Sequence, residues 1–240
     1  MKIGITSWSV EDISIYSRDD NIEIIHYGIQ DYGKPLNLSS SNLIRKIKMV
    51  ALNYFENFDL KNNTDIENSV NYALYVINYF KSYGILDFYI PFFNKNEIRS
   101  NYDIEIVANI YKKIFINVDN VNVAIECTLS PNELCLLKHK ICNDRFKILI
   151  DNYNIRKTGF SITEHLNLNR KIISEHFHIK SSLGKGVEST SIINDLENIR
   201  NEINEIKDYF NHGYFILETN YDVVSDFYFE KRTLENVCFL

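Results

Sequence analysis

Glycine and proline are scarce in this chain, 8 and 3 of 240 residues, so no long flexible linker is suggested and the chain reads as compact throughout. Its four cysteines, Cys127, Cys135, Cys142 and Cys238, match no Cys-x-x-Cys spacing. That excludes the short metal-binding and redox motifs and leaves them as small apolar residues of a reducing compartment. Positive charge is also short. With 26 basic against 32 acidic residues, a net charge of -6, and no basic run longer than Arg45-Lys46-Ile47-Lys48, the chain does not advertise the cationic face that a nucleic-acid partner requires. No apolar stretch approaches membrane-spanning length, and Lys2-Ile3-Gly4-Ile5 moves straight into a strand pattern, so no secretory leader is expected. A cytoplasmic protein with no membrane partner is the expectation. Nothing like Gly-x-Gly-x-x-Gly follows the first strand, which argues against a dinucleotide-binding, doubly wound sheet.

What is present is a rhythm. Short apolar runs alternate with longer amphipathic stretches, the pattern of strand, helix, parallel strand. Candidate strands fall at about 2 to 8, 22 to 27, 46 to 52, 85 to 91, 122 to 127, 146 to 151, 173 to 179 and 214 to 219. The clearest helix runs from Thr64, read as an N-cap with Glu67 three residues on, to Gly84 as a stop. Asn101 to Phe115, Pro131 to Cys142 and Ile192 to Phe210 are further helices. Gln30 to Ser41 is rich in turn formers, so the second helix should be short or replaced by a loop. Eight strands alternating with helices over 240 residues predict an α/β fold: one (β/α)8 TIM barrel domain spanning 1–240.

Four polar residues each close one of these apolar runs: Glu126 after Val-Ala-Ile, Asp151 after Ile-Leu-Ile, His178 in His-Phe-His-Ile-Lys, and Glu218 after Phe-Ile-Leu. In a parallel barrel the carboxyl ends of the strands converge on one mouth, so two glutamates, an aspartate and a histidine can enclose one divalent cation. Period-two alternation supports this. If Glu126 points inward so does Ala124, with Val123 and Ile125 toward the helices; Asp151 sends Ile148 and Ile150 outward; Glu218 shares its side with Ile216. His176, His178 and Lys180 share one face. Carboxylates inside a narrow barrel are costly unless paired or metal-bound. Cys127 alternates away from the mouth and is not read as a nucleophile, and His26, closing the second strand, reads as a structural histidine. Trp8, Tyr27, Tyr89 and Phe92 are the aromatics that can stack on a sugar face, and Lys34, Arg99 and Arg156 the loop cations that can hold a phosphate.

The segments Val123-Ala124-Ile125-Glu126, Ile150-Asp151-Asn152-Tyr153-Asn154, His176-Phe177-His178-Ile179-Lys180 with Gly184-Lys185-Gly186, and Gly213-Tyr214-Phe215-Ile216-Leu217-Glu218 together resemble the xylose isomerase-like barrel superfamily. That group contains sugar phosphate isomerases and epimerases, dehydratases, and the endonuclease IV type of repair enzyme. The resemblance implies that Glu126, Asp151, His178 and Glu218 are metal ligands, that Glu126 and Glu218 exchange the proton as acid and base, and that His176, Lys180 and Asn154 contact substrate oxygens. The chain departs from the pattern at Asn154, where many members have histidine, and at Ser181, where aspartate is common. It also lacks the Asp-x-His pair after Gly186 that holds additional zinc ions, which points away from a nuclease.

The implied activity is a divalent-metal-dependent isomerase or epimerase of a sugar or sugar derivative, acting by proton transfer through an enediolate. Two alternatives stay open. One is a dehydratase or lyase acting on a sugar-like or cyclitol substrate; the other is a barrel that binds a ligand without turning it over. Oxygen donors plus one imidazole suit Mn or Mg ahead of Co or Zn. The expected partner is a small carbohydrate-like molecule, with homo-oligomerisation left open.

Overall fold

The computed structural model describes residues 2–8, 10–29, 41–181, 191–207, 209, 213–219 and 224–239. Among them are eight strands: β1 (Lys2–Ser7), β2 (Ile25–Gly28), β3 (Ile47–Ala51), β4 (Asp87–Pro91), β5 (Asn122–Glu126), β6 (Phe146–Asp151), β7 (Ile173–Ile179) and β8 (Tyr214–Leu217). They pair in parallel in chain order, and β8 closes back on β1, as the strand rhythm predicts for a (β/α)8 barrel.

Around the barrel lie α1 (Val10–Arg18), α2 (Ser41–Lys46), α3 (Asn63–Lys81), α4 (Asn101–Asn117), α5 (Pro131–Ile141), α6 (Asn152–Thr158), α7 (Ile162–Asn169), α8 (Leu196–Lys207) and α9 (Val224–Phe239). Local chemistry sets their ends. Ser130 and Glu133 form a reciprocal capping box with Pro131 in the first turn of α5, and Cys142 ends that helix in the left-handed region at φ 51°. The clearest helix begins earlier than expected. Asn62, rather than Thr64, accepts from the backbone N–H groups of Thr64 and Asp65, and asparagine caps at least as well as threonine. The second helix is short, six residues in α2, and the turn-rich segment before it, Gln30–Ser40, lies outside the described residues. The sequence pattern did not single out α1, α6, α7 or α9. No helix among the described residues is long and apolar enough to cross a membrane.

Two apolar clusters follow from the strand alternation. The larger lies between the barrel and its helices and takes Val123, Ile125, Ile148, Ile150, Phe177 and Phe215 from the outward faces of the strands. A buried side chain of this size contributes about 1.5–3 kcal/mol, so this shell is where the barrel gains its stability. The smaller cluster, Met49, Ala51, Tyr89, Ala124 and Leu149 with Trp8 against it, fills only part of the interior. The rest of the interior is polar. His26, His176 and His178 are each at most 5% exposed, and all three point inward from their strands.

Candidate metal centre

Glu126, Asp151, His178 and Glu218 stand at or just past the carboxyl ends of β5, β6, β7 and β8. The lateral register pairs Asp151 with His178 directly, whereas His178 pairs with Ile216, so Glu218 stands two residues further along and reaches back to the cluster from just past the end of β8. One ligand atom from each of the four lies within 4.8 Å of every other. Only Glu218 is more than marginally exposed, with 14% of its side chain accessible.

Each side chain is held from behind. Asp151 is the N-cap of α6: its Oδ1 accepts from the Asn154 backbone N–H at 2.7 Å, which turns Oδ2 toward the mouth. Asn154 Nδ2 donates to Glu126 Oε1 at 3.0 Å. Asn152 clamps the end of β7 with two 2.9 Å bonds, accepting from the backbone N–H of Lys180 and donating to its carbonyl. Lys180 Nζ thereby lies 2.8 Å from both Asp151 Oδ2 and Glu218 Oε2. His178 Nδ1 faces Glu218 Oε2 at 3.4 Å and Glu126 Oε1 at 3.8 Å, and neither contact is aligned as a hydrogen bond.

Three carboxylates sharing one dry site cannot all ionise freely. Burial, reinforced by Glu218 and Asp151, pushes the Glu126 carboxyl up to about 8. Burial also raises Asp151, against the pull of Lys180. Glu218 goes the other way: burial favours its neutral form, but Lys180 and His178 outweigh it and hold the carboxylate ionised. His178 is raised above the usual imidazole range because Glu218, Glu126 and Asp151 overcome its burial, and Lys180 is raised for the same reason.

The donor set fits a divalent cation. His178 Nδ1 is buried with no hydrogen-bond partner among the described residues and looks toward two carboxylates, which is the environment of a ligand nitrogen. Three carboxylate oxygens and one imidazole nitrogen within mutual coordination reach complete a hard, oxygen-rich set.

Above this cluster opens a cavity of about 970 Å³, lined by Glu126, Glu218, Lys180, Asn154, Tyr153 and Trp8 among others. It is large enough for a small polar molecule, with polar groups converging at its floor. Glu56 and Asn53 also line it and were not singled out by the sequence; they sit on a short 3-10 turn after β3 that carries no periodic signal. Burial raises Glu56, with Asn94 opposing by donating to its carboxylate.

Several expected positions lie elsewhere. His176 is not at the mouth. Two residues before His178 on the same face, it sits about 6.6 Å deeper by the rise of a parallel strand. It faces a second cavity, of about 490 Å³, at the opposite end of the barrel with Lys48, Asp87 and Tyr214. It is thus set apart from Lys180 and Asn154, the other two residues for which a substrate contact is implied, which line the mouth cavity. Of the four aromatics, Trp8 lines the mouth, Tyr89 packs beneath it edge-on to His178 with ring centroids 5.3 Å apart, and Tyr27 and Phe92 belong to the outer core. Arg99 pairs with Glu97, and Arg156 with Glu202 and Asp195, so both are committed to protein carboxylates. Lys34 and Gly184-Lys185-Gly186 fall outside the described residues. Burial pushes the Cys127 thiol up to about 12, which leaves it without thiolate character.

His26, read from the sequence as a structural histidine, lies in contact with the cluster. His26 Nδ1 lies 3.0 Å from His178 Nε2, and its Nε2 lies 2.8 Å from His176 Nδ1. Outward-facing Ile25 and Tyr27 on either side are the signal that places it inside.

In sequence the chain matches no family model and no curated protein. In structure it is similar to xylose isomerase-like barrel proteins over nearly its whole length. The probable 3-DHS dehydratase AsbF involved in petrobactin synthesis, from Bacillus anthracis, superposes with a TM-score of 0.69 at 16% identity, covering 98% of this chain and 99% of that one. The IOLI protein, solved with a zinc atom bound, gives 0.69 at 13% identity, covering 99% and 98%. D-psicose 3-epimerase from Clostridium cellulolyticum H10, solved with D-tagatose, gives 0.64 at 13% identity, covering 99% and 96%. At such identities the likeness establishes a shared fold.

Proposed function

We propose that the chain is a divalent-metal-dependent isomerase or epimerase of a sugar or sugar derivative, with Glu126, Asp151, His178 and Glu218 holding the cation. The observation that carries this reading is the convergence of these four side chains within 4.8 Å at the floor of the mouth cavity. The epimerase and the zinc-holding protein among its structural neighbours support it, as does the direction in which the two glutamates are tuned.

A bound cation of this kind polarises a substrate carbonyl and offsets the negative charge that develops when the adjacent carbon loses its proton. The chain's own residues supply the proton handling. Glu218, held ionised by Lys180 and His178, is the base that takes the proton. Glu126, from the neighbouring side of the cluster and hydrogen-bonded by Asn154, is the partner that gives one back, drawing that proton from solvent through the open cavity once the cation is bound. Lys180 donates to the substrate oxygen nearest Glu218, and Asn154 keeps Glu126 aimed into the cavity. Trp8 presents an apolar face at the rim. Mn or Mg suits the oxygen-rich donor set ahead of Co or Zn.

A second reading, a dehydratase, rests on one observation: Lys180 is a charged donor at the cavity floor and can hydrogen-bond a departing hydroxyl, stabilising its loss. Elemental analysis of the purified protein, followed by assays of wild type and Glu218→Gln over a panel of ketoses, tests the proposal. A loss of about 100- to 10,000-fold in the variant supports it. Full turnover in Glu218→Gln, or wild-type protein indifferent to a chelator, overturns it. Formation of an unsaturated, ultraviolet-absorbing product selects the dehydratase.

A further inference from the structure

Three imidazoles cross the inside of this barrel in one hydrogen-bonded line. His178 Nε2 meets His26 Nδ1 at 3.0 Å, and His26 Nε2 meets His176 Nδ1 at 2.8 Å, with His26 only 1% and His178 0% exposed. The lower end is fixed by a ring stack of His176 on Tyr214, with centroids 4.7 Å apart and planes 23° from parallel.

A neutral imidazole has one N–H and one bare nitrogen, so each link in such a chain needs a donor facing an acceptor. Two directions are therefore available. In one, His26 Nδ1 carries the hydrogen and donates to His178 Nε2; neutral His178 must then hold its own hydrogen on Nδ1, the atom that faces Glu126 and Glu218. That tautomer cannot ligate a cation. In the other, His178 donates from Nε2 to His26 Nδ1, His26 donates from Nε2 to His176 Nδ1, and His178 Nδ1 is left as a bare lone pair. Only this direction gives a metal ligand, and it also fixes the ring against rotation.

We propose that His26 is the positioning residue that holds His178 in the Nε2–H tautomer and in the orientation needed to ligate a cation, with His176 anchoring His26 from below. The inference rests on the reading of Glu126, Asp151, His178 and Glu218 as a cation site and adds to it the group that makes the imidazole competent. His26 touches no reacting atom; it acts through His178.

The test uses the full chain and Zn²⁺ alone. Equilibrium dialysis compares wild type with His26→Leu, which removes the acceptor, and His26→Asn, whose side-chain oxygen can stand near the position of Nδ1. The expected result is a loss of about 10- to 100-fold in Zn²⁺ affinity for His26→Leu, with His26→Asn recovering much of it. A purely packing role would be restored by the apolar variant and not by the amide. Long-range proton–nitrogen spectra of the Zn²⁺-loaded wild type are expected to place the His178 hydrogen on Nε2, and this measurement stands whether or not the leucine variant folds. Wild-type affinity in a folded His26→Leu, or a hydrogen on His178 Nδ1, overturns the inference and leaves the cation site standing. A wild type that takes up no divalent cation overturns both.

Discussion

The Lys180 ammonium lies 2.8 Å from Glu218 Oε2, an ion pair in which the two side chains are only 12% and 14% exposed. The same nitrogen is 2.8 Å from Asp151 Oδ2, so one internal cation neutralises two of the four groups at the barrel mouth. A divalent ion arriving at this site competes for the same oxygens. Replacing the lysine with an uncharged side chain of similar length strands two buried carboxylates, and breaking a buried pair from one side costs about 3–5 kcal/mol. Lys180→Met is therefore expected to lower the melting temperature of the cation-free protein strongly, while added Mn²⁺ raises it by more in the variant than in wild type. Thermal melts with and without Mn²⁺ decide the matter; equal shifts in both proteins would sink the idea.

Cation uptake is expected to release protons. At neutral pH Glu126, pushed up to about 8, carries a proton. Ligation requires it to leave. Calorimetry of Mn²⁺ binding near pH 7, repeated in buffers of different ionisation heat, should report a release approaching one proton per ion from this carboxyl. Affinity should weaken as the pH falls from about 8 toward 6. For the cation-free protein the stability contribution of Glu126 has the opposite sign. Its folded-state carboxyl keeps a proton that the unfolded chain gives up above its ordinary value of 4.5, so stability falls as the pH rises from about 4.5 through about 8. A release of no protons at pH 7 would contradict this assignment of charge.

His165 on α7 provides an acid-sensitive point remote from the mouth. It is 2% exposed, neither ring nitrogen has a partner among the described residues, and burial pushes it down to about 4. The unfolded chain binds the proton near 6.5 and the folded chain does not until about 4, so this residue removes stability as the pH falls across that interval. An unpartnered buried polar group is also costly at any pH. His165→Leu should therefore be at least as stable as wild type at pH 7 and clearly more stable at pH 5, read as urea midpoints. A variant with the same pH dependence as wild type would show that the imidazole is not the titrating group.

Much of the site was legible in the sequence because period two leaves little freedom in a parallel strand. Once Glu126, Asp151 and Glu218 are read as inward, Ala124, Leu149 and Ile216 must follow them, and Val123, Ile125, Ile148 and Ile150 must face the helices. The structure places Ala124 and Leu149 in the interior cluster and those four in the outer one. What was not legible depends on distances across the barrel. The pairing of His26 with His178 joins β2 to β7, separated by 152 positions in the chain, and no local pattern encodes that approach. The depth of His176 was not legible for a related reason: the alternation gives the face of a side chain and not its position along the barrel axis. Glu56 and Asn53 carry no periodicity on their 3-10 turn. Helix α6 follows from Asp151, whose capping role is hidden behind its place at the end of a strand, and α7 from a reciprocal capping box of Ser161 and Glu164 whose Ser-x-x-Glu spacing is in the sequence but was not singled out.

Gly28, at the end of β2, controls the opposite wall of the mouth. A Cβ at this position would stand 2.3 Å from Trp8 Cε3 and 2.5 Å from Asn53 Nδ2, closer than atoms can approach, so the indole rests directly on the bare Cα. Both Trp8 and Asn53 line the mouth cavity, while neither belongs to the four-residue cluster at its floor. Gly28→Ala must therefore push the indole or the amide aside. The overpacking should cost about 1–3 kcal/mol of stability. Because the displaced groups line the cavity and lie outside the cation cluster, the proposed function predicts that KM for an accepted sugar rises about 10-fold or more, with Mn²⁺ affinity unchanged. Steady-state kinetics set beside a Mn²⁺ titration separate these effects. A variant that loses Mn²⁺ affinity in step with KM would mean that the indole wall and the cation cluster are one mechanical unit, contrary to the division drawn from their positions.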